Sequence, residues 1–531
     1  MAAVAAATAA EKPHIVTIIA DDFGWANVGY HHAVPSPEVV SPTLDKLAAS
    51  GRKLTRHYAF KLCSPSRSAF QTGRTPVHVN DANAEPTVYN PNDRVGGYAG
   101  IPVNMTGIAS KMRLAGYATA MTGKWDAGMA TPAHTPRGRG YDSWFGYFHH
   151  ANDYWTQKIT LFSTGKEDVC LDRFVDLWGP HDAPALSQNG TAYEEELFTN
   201  HTIATILQHD ASVPLFLVHA FHIVHTPLQL PAVDITRFNF IKYHDRRMYA
   251  AMVHYMDGAV ARIVDALVTK TMWPRTLLLF TSDNGGPIYR FGGANNYPLK
   301  GGKFSDWEGG VRVAAFVAGG ALPAKVAGKP LNALIHIADW YATFCSLAGI
   351  DPSDVQAAAA GLPPVDGIDM WPALTSEVAD GGSGGGSSSG GGGGGVVGGG
   401  RTEVHLSKQA LIVGKMKILI GTQFMSGWTG PSYPNATGPQ PNPPFASAFQ
   451  LQLWGHDCGD GCLYDIFADP TEHHDLAASQ PEILTKLRSR LQELNKQNYD
   501  PDRGRGDPRA CQQAVANGGF YGPWLDLPRV S

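Results

Sequence analysis

Up to residue 375, short apolar runs alternate along the chain with stretches of helical spacing. His14 to Ala20 (HIVTIIA), Tyr117 to Met121, Leu215 to Ala220 and Leu277 to Phe280 read as buried strands. Ser41 to Ser50 and Met248 to Leu267, between them, carry a helical period. This alternation predicts an α/β fold, a mainly parallel sheet covered by helices on both faces.

The pattern changes after Gly381 to Gly400, which reads GGSGGGSSSGGGGGGVVGGG. That run has almost no side chains to bury and the most backbone entropy to lose, so it is expected to be a disordered tether or insertion. Beyond it, Gln409 to Gly421 alternates like an antiparallel strand or hairpin. Pro481 to Lys496 then sets Ile483, Leu484, Leu487, Leu491 and Leu494 on one side of a helix. The expected organisation is a disordered N-terminus over 1–12 and a large domain over 13–375. The insertion at 381–400 follows, then a small α+β subdomain with an antiparallel sheet over 401–531.

Length and composition narrow this picture. A chain of 531 residues is too long for one simple core. A net charge of −5 leaves no electrostatic footprint for nucleic acid or an anionic membrane, so an anionic substrate would need a local basic site. No apolar run reaches the roughly 18 to 20 residues that span a bilayer. Met1 to Ala10 is Ala-rich but lacks a basic n-region, so it makes a poor signal peptide. The six cysteines are too few for a disulfide framework in so long a chain. Sequons at Asn104, Asn189, Asn200 and Asn435 favour a secreted chain weakly.

The polar residues that stand out follow the predicted strands. Asp21-Asp22 ends the first, and Asp283-Asn284-Gly285-Gly286 follows Leu277 to Phe280 and Thr281-Ser282. Thr122-Gly123-Lys124-Trp125 and His225 follow the other two. In open parallel sheets, ligands bind outside the carboxyl ends of strands. Two adjacent aspartates repel each other unless a cation or protons neutralise them. With Asp283 and Asn284 they would offer only oxygen, which suits a hard cation such as Ca²⁺ or Mg²⁺ better than zinc. Taken singly, the same residues also read as a helix cap and a turn.

Cys63-Ser64-Pro65-Ser66-Arg67, followed by Thr72-Gly73-Arg74, resembles the signature of the formylglycine-dependent sulfatases, with Phe70 at the usual Leu. The resemblance extends over Ile18 to Trp25, Val224 to Gln229, Ser282 to Gly286, Asn295 to Leu299, Gly302 to Arg312, Leu463 to Ile466, Asp469 to Glu472 and Tyr521 to Trp524. Within the family the resemblance is to the arylsulfatase B branch.

The resemblance implies a sulfatase fold and the hydrolysis of an aryl or sugar (glycosaminoglycan-type) sulfate. It implies a Cys63 oxidised to formylglycine by a dedicated generating enzyme, and a Ca²⁺ on Asp21, Asp22, Asp283, Asn284 and residue 63. The hydrated aldehyde would attack sulfur with one hydroxyl and release sulfate with the help of the second. Arg67 would steady residue 63, while Lys124, His225 and Lys303 would bind sulfate oxygens, His225 also protonating the leaving alcohol. His222 is the runner-up to His225. A secretory, extracellular or lysosome-like setting follows.

One departure stands out: where the family reads GKWHxG, this chain has Gly123-Lys124-Trp125-Asp126-Ala127-Gly128. Asp126 is expected beside residue 63, adding negative charge near a sulfate. That predicts a slow enzyme with an acidic optimum, and a gain of roughly tenfold in Asp126→His. Asp126 also keeps open a second reading, a catalytically weakened homologue that binds sulfated glycans. A third is a phosphoester or phosphonate hydrolase of the same superfamily.

Overall fold

A computed structural model describes residues 11–159, 170, 174–289, 291–378, 400–430 and 455–526. The expected disordered segments, apart from residues 11, 12 and 400, lie outside them, as does the sequon at Asn435.

The large sheet has nine strands. They are β1 (His14–Ala20), β2 (Arg52–Lys53), β3 (Ala118–Lys124), β4 (Ser143–Tyr147), β5 (Trp178–Gly179), β6 (Ala183–Pro184), β7 (Leu215–Ala220), β8 (Thr276–Ser282) and β9 (Phe316–Ala318). Their order is β2-β9-β8-β1-β7-β3-β4-β5-β6. The central five, β8-β1-β7-β3-β4, run parallel, while both edges turn antiparallel.

All seven residues of β1 are buried, and successive side chains serve opposite faces of the sheet. Ile15 and Ile19 join one core with Phe216, Val218, Leu277 and Leu279, packed under α2 (Cys63–Thr72), α3 (Ile108–Leu114) and α6 (Asp339–Ala348). Val16, Ile18 and Ala20 join the other with Leu217 and Phe280, under α1 (Pro42–Ser50), α4 (Glu194–Gln208) and α5 (His244–Thr269). The doubly covered sheet expected from the alternation is therefore present.

Two boundaries differ from the sequence reading, with consequences for the site. Strand β3 runs on to Lys124 instead of stopping at Met121, because its pairing with β4 continues as Lys124 opposite Tyr147. Its Gly123 has φ 92°, and a Cβ there would lie 1.9 Å from the carbonyl oxygen of Ala220 on β7. Strand β4 was missed from the sequence, although SWFGY is an apolar, aromatic run of strand length.

After residue 400, β10 (Glu403–Ser407), β11 (Ala410–Val413), β12 (Met416–Leu419) and β13 (Cys462–Asp465) form an antiparallel sheet. The predicted hairpin is β11–β12, and α7 (Pro481–Asn495) lays Leu487 and Leu491 on Leu411, Ile418 and Leu463. The opposite face, with Val404, Leu406 and Ile412, packs on Tyr58, Trp307 and Leu334 of the large sheet's layer. Two disulfides are present where no framework was expected, the long-range Cys170–Cys511 and the local Cys458–Cys462. Cys63 and Cys345 are free.

Candidate active site

Register brings the first acidic residues together. Ala20 pairs with Ser282, so Asp21-Asp22 and Asp283-Asn284 leave neighbouring strand ends side by side. All four are buried. Asp22 sits at φ 59°, a left-handed conformation that an aspartate adopts only with support from its surroundings. Its backbone N–H donates to Asp283 Oδ1 at 3.3 Å, and Asn284 Nδ2 donates to Asp22 Oδ1 at 2.7 Å. That leaves Asn284 Oδ1 buried without a hydrogen-bond partner. Three carboxylates and one orphaned amide oxygen are a donor set that fits a hard divalent cation.

Cys63 opens α2, where unpaired N–H groups and the helix dipole favour negative charge. The helix ends at Gly73 in the left-handed region (φ 69°), where a Cβ would strike the Tyr341 side chain at 2.7 Å. The Cys63 thiol donates to Asp21 Oδ1 at 3.4 Å. Burial, reinforced by Asp21 and Asp283, pushes that thiol well above its ordinary range, so the unmodified group is a poor nucleophile.

Cations surround the acids. Arg67, one helical turn beyond Cys63, donates Nε to Asp283 Oδ2 at 2.9 Å and Nη1 to the Lys124 carbonyl at 3.0 Å. Lys124 Nζ lies 2.6 Å from Asp21 Oδ2, and Lys303 Nζ 2.9 Å from Asp22 Oδ2. Burial opposes both ammonium charges, but Asp21 and Asp22 hold them above the ordinary range. His225 Nδ1 donates to the Thr226 carbonyl at 2.6 Å, leaving Nε2 to accept from Lys303 at 3.0 Å. Burial and Lys303 keep its ring neutral. Asp21, Asp22, Cys63 and His225 bring ligand atoms within 4.8 Å of one another, so a histidine stands nearer the acids than sequence spacing implied. His222 is instead tied to Glu194 at 2.8 Å and stacked on Tyr154 with centroids 3.9 Å apart.

Asp126 has a partner that the sequence did not show. Its Oδ2 lies 3.6 Å from Lys124 Nζ, so it adjoins the cluster, but its Oδ1 accepts from His150 Nδ1 at 2.9 Å. Burial alone would raise its carboxyl, yet His150 and Lys124 hold it down at about 2. Both neighbours favour the ionised form of Asp126. His150 was missed because it follows the unpredicted β4. The β3–β4 register sets Phe148-His149-His150 beside Trp125-Asp126.

The family model "Sulfatase" matches residues 13–350. Arylsulfatase J of Mus musculus is 32% identical over 525 residues, covering 97% of this chain and 80% of its own. N-acetylgalactosamine-6-sulfatase of the same organism is 30% identical over 379 residues, 70% of this chain and 67% of its own. The solved structure of Ps i-CgsB with k-i-k-neocarrahexaose has a TM-score of 0.67 at 24% identity, covering 96% of this chain and 98% of that one. The chain belongs to the sulfatase family, and it is a sulfatase enzyme, a hydrolase of sulfate esters. These relatives support the family without singling out arylsulfatase B.

Proposed function

We propose that the chain hydrolyses an aryl or sugar sulfate, glycosaminoglycan-type sugars included, through a formylglycine made from Cys63 beside a bound Ca²⁺. The observation that carries this reading is the buried Cys63, 3.4 Å from Asp21, at the start of a helix whose Arg67 reaches Asp283. A thiol raised by burial gains nothing from such a setting unless it is converted.

Asp21, Asp22, Asp283 and Asn284 would hold the metal, together with residue 63. Bound there, a divalent cation supplies Lewis-acid polarisation and lowers the proton affinity of an oxygen on it. The chain's own residues do the rest. Lys124 and Lys303 are the fixed charges for sulfate oxygens, in a dry site where such charges act strongly. Arg67 orients residue 63 through Asp283. Neutral His225, its Nδ1–H tied to Thr226, presents Nε2 to the leaving oxygen. The large domain over 13–375 would carry all of these groups, with 401–531 as its smaller partner. A formylglycine-generating enzyme would act during maturation, in a secretory, extracellular or lysosome-like route. No helix among the described residues is long and apolar enough to cross a membrane.

The test pairs two measurements on one preparation. Peptide mass spectrometry measures the aldehyde at residue 63, and a chromogenic aryl sulfate and its phosphate analogue measure turnover. Aldehyde together with preferential sulfate release is expected. A fully converted chain that binds sulfated glycans but releases no sulfate supports the weakened-homologue reading instead.

A further inference from the structure

Hydrolysis of a sulfate monoester near neutral pH converts ROSO₃⁻ and water into ROH, SO₄²⁻ and one proton. In this chain the proton is set free in a site whose acids and lysines are buried, so it needs a path outward. The family's imidazole at 126 is absent, and an imidazole from a different strand end faces the carboxylate that replaces it.

We propose that Asp126 and His150 form a proton relay, in which His150 stands in for the missing histidine from the loop after β4. Three observations support it. Asp126 Oδ2 has no hydrogen-bond partner and lies 3.6 Å from Lys124 Nζ, which itself sits on Asp21. Asp126 Oδ1 is bonded to His150 Nδ1 at 2.9 Å, which fixes the orientation of the ring. His150 Nε2 has no hydrogen-bond partner, and Glu85 Oε1 lies 4.0 Å from it.

The carboxylate takes the proton at Oδ2, and one proton leaves the ring at Nε2 toward Glu85. The ring begins with a proton on each nitrogen. After the transfer Asp126 carries the incoming proton at Oδ2 and His150 keeps only Nδ1–H, so the proton count of the pair is unchanged. The next cycle requires the carboxyl and the imidazole to reorient so that the Asp126 proton passes to the ring. Burial disfavours a charged ring, but Asp126 and Glu85 outweigh it and raise His150, with Lys124 opposing. Asp126 holds φ 49°, so backbone strain is maintained where the pair is built. Asp126 adjoins the reacting groups, and His150 is the positioning and relay residue acting through it.

The inference rests on the sulfate-ester hydrolysis proposed above for this site. It is tested in the full-length chain with aldehyde content measured in every variant. His150→Ala is expected to lose about 100-fold in kcat with little change in KM, and to recover in added imidazole. His150→Gln, of similar shape, is expected to fold and to stay slow, since an amide cannot carry the proton. Independently of activity, the ¹⁵N shift of the His150 ring should show the ring holding its second proton to higher pH in the native chain than in Asp126→Asn.

His150→Gln as fast as the native chain between pH 5 and 8 overturns the relay. So does a slow His150→Ala that imidazole does not rescue, or a ring unaffected by Asp126→Asn. A native chain that carries the aldehyde and releases no sulfate overturns the function itself, and the relay with it.

Discussion

Two buried clusters of charge sit within one chain, and they are built differently. On β12, an inner strand of the small sheet, Lys417 is fully buried between Glu308 and Glu472, each at 2.9 Å. Tyr58 donates to Glu308 at 2.9 Å, and the Glu308 N–H donates to Glu472 at 2.7 Å. There each charge meets its opposite, and the cluster ties the small sheet to the large domain. At the carboxyl ends of the large sheet, by contrast, Asn284 Oδ1, Asp126 Oδ2 and His150 Nε2 stay buried and unbonded. Burying a polar group without a partner costs free energy, so such leftovers persist where a ligand or a proton completes them. Burial of charge alone does not distinguish a joint from a reaction site. What differs is that at the strand ends the unbonded atoms gather around one group of acids, whereas at the joint Glu472 Oε1 lies 2.9 Å from Lys417.

The largest expected effect is on turnover. Cys63→Ser should fold as the native chain does but lose steady-state hydrolysis, since a serine has no second hydroxyl with which to release sulfate. Sustained turnover by the pure variant would show that residue 63 is not the nucleophile.

Next in size is a break of the joint. Lys417→Met strands two buried carboxylates and should cost about 3 to 5 kcal/mol in denaturant unfolding, while KM of the folded fraction stays native. A change in KM at unchanged stability would mean that the joint belongs to the site.

The metal effect is smaller. Free Ca²⁺ at about 100 times its Kd should stabilise the native chain by about 2.7 kcal/mol, and Asp22→Ala should abolish that gain. Equal shifts in both chains on a thermal scan would remove Asp22 from the metal site.

Asp126→His should now slow the enzyme by about tenfold, opposite to the gain expected from sequence alone, because it sets an imidazole against His150 in place of a carboxylate. A faster variant at any pH from 4 to 8 would restore the view of Asp126 as a lesion.

An effect of similar size concerns pH. Burial pushes Glu472 up to about 7, against the pull of Lys417. The folded chain therefore holds a proton there that the unfolded chain gives up near the ordinary carboxylate value. Its stability contribution is present below that value and is lost as pH rises toward 7. Glu472→Gln should flatten that decline by about 1 to 3 kcal/mol between pH 5 and 7.5, and an unchanged slope would reassign the titration.

Much of this was legible along the chain. Each parallel strand, buried on both faces, is a continuous apolar run, so HIVTIIA and LLLF announce themselves and the residues after them announce the site. Cys63 and Arg67 were legible as a motif, because a helix start and one turn fix their spacing locally. The sequence by itself thus determined the sheet, the family and the residues at its strand ends. Only the tertiary structure decided which strand ends meet, since register is set by pairing between segments hundreds of residues apart. It alone put His150 on Asp126, because β3 and β4 are neighbours in the sheet and not in the hydrophobic pattern. It also gave Lys417 its two glutamates. A charge in an amphipathic hairpin reads as solvated until another domain covers it, and no local pattern records that cover.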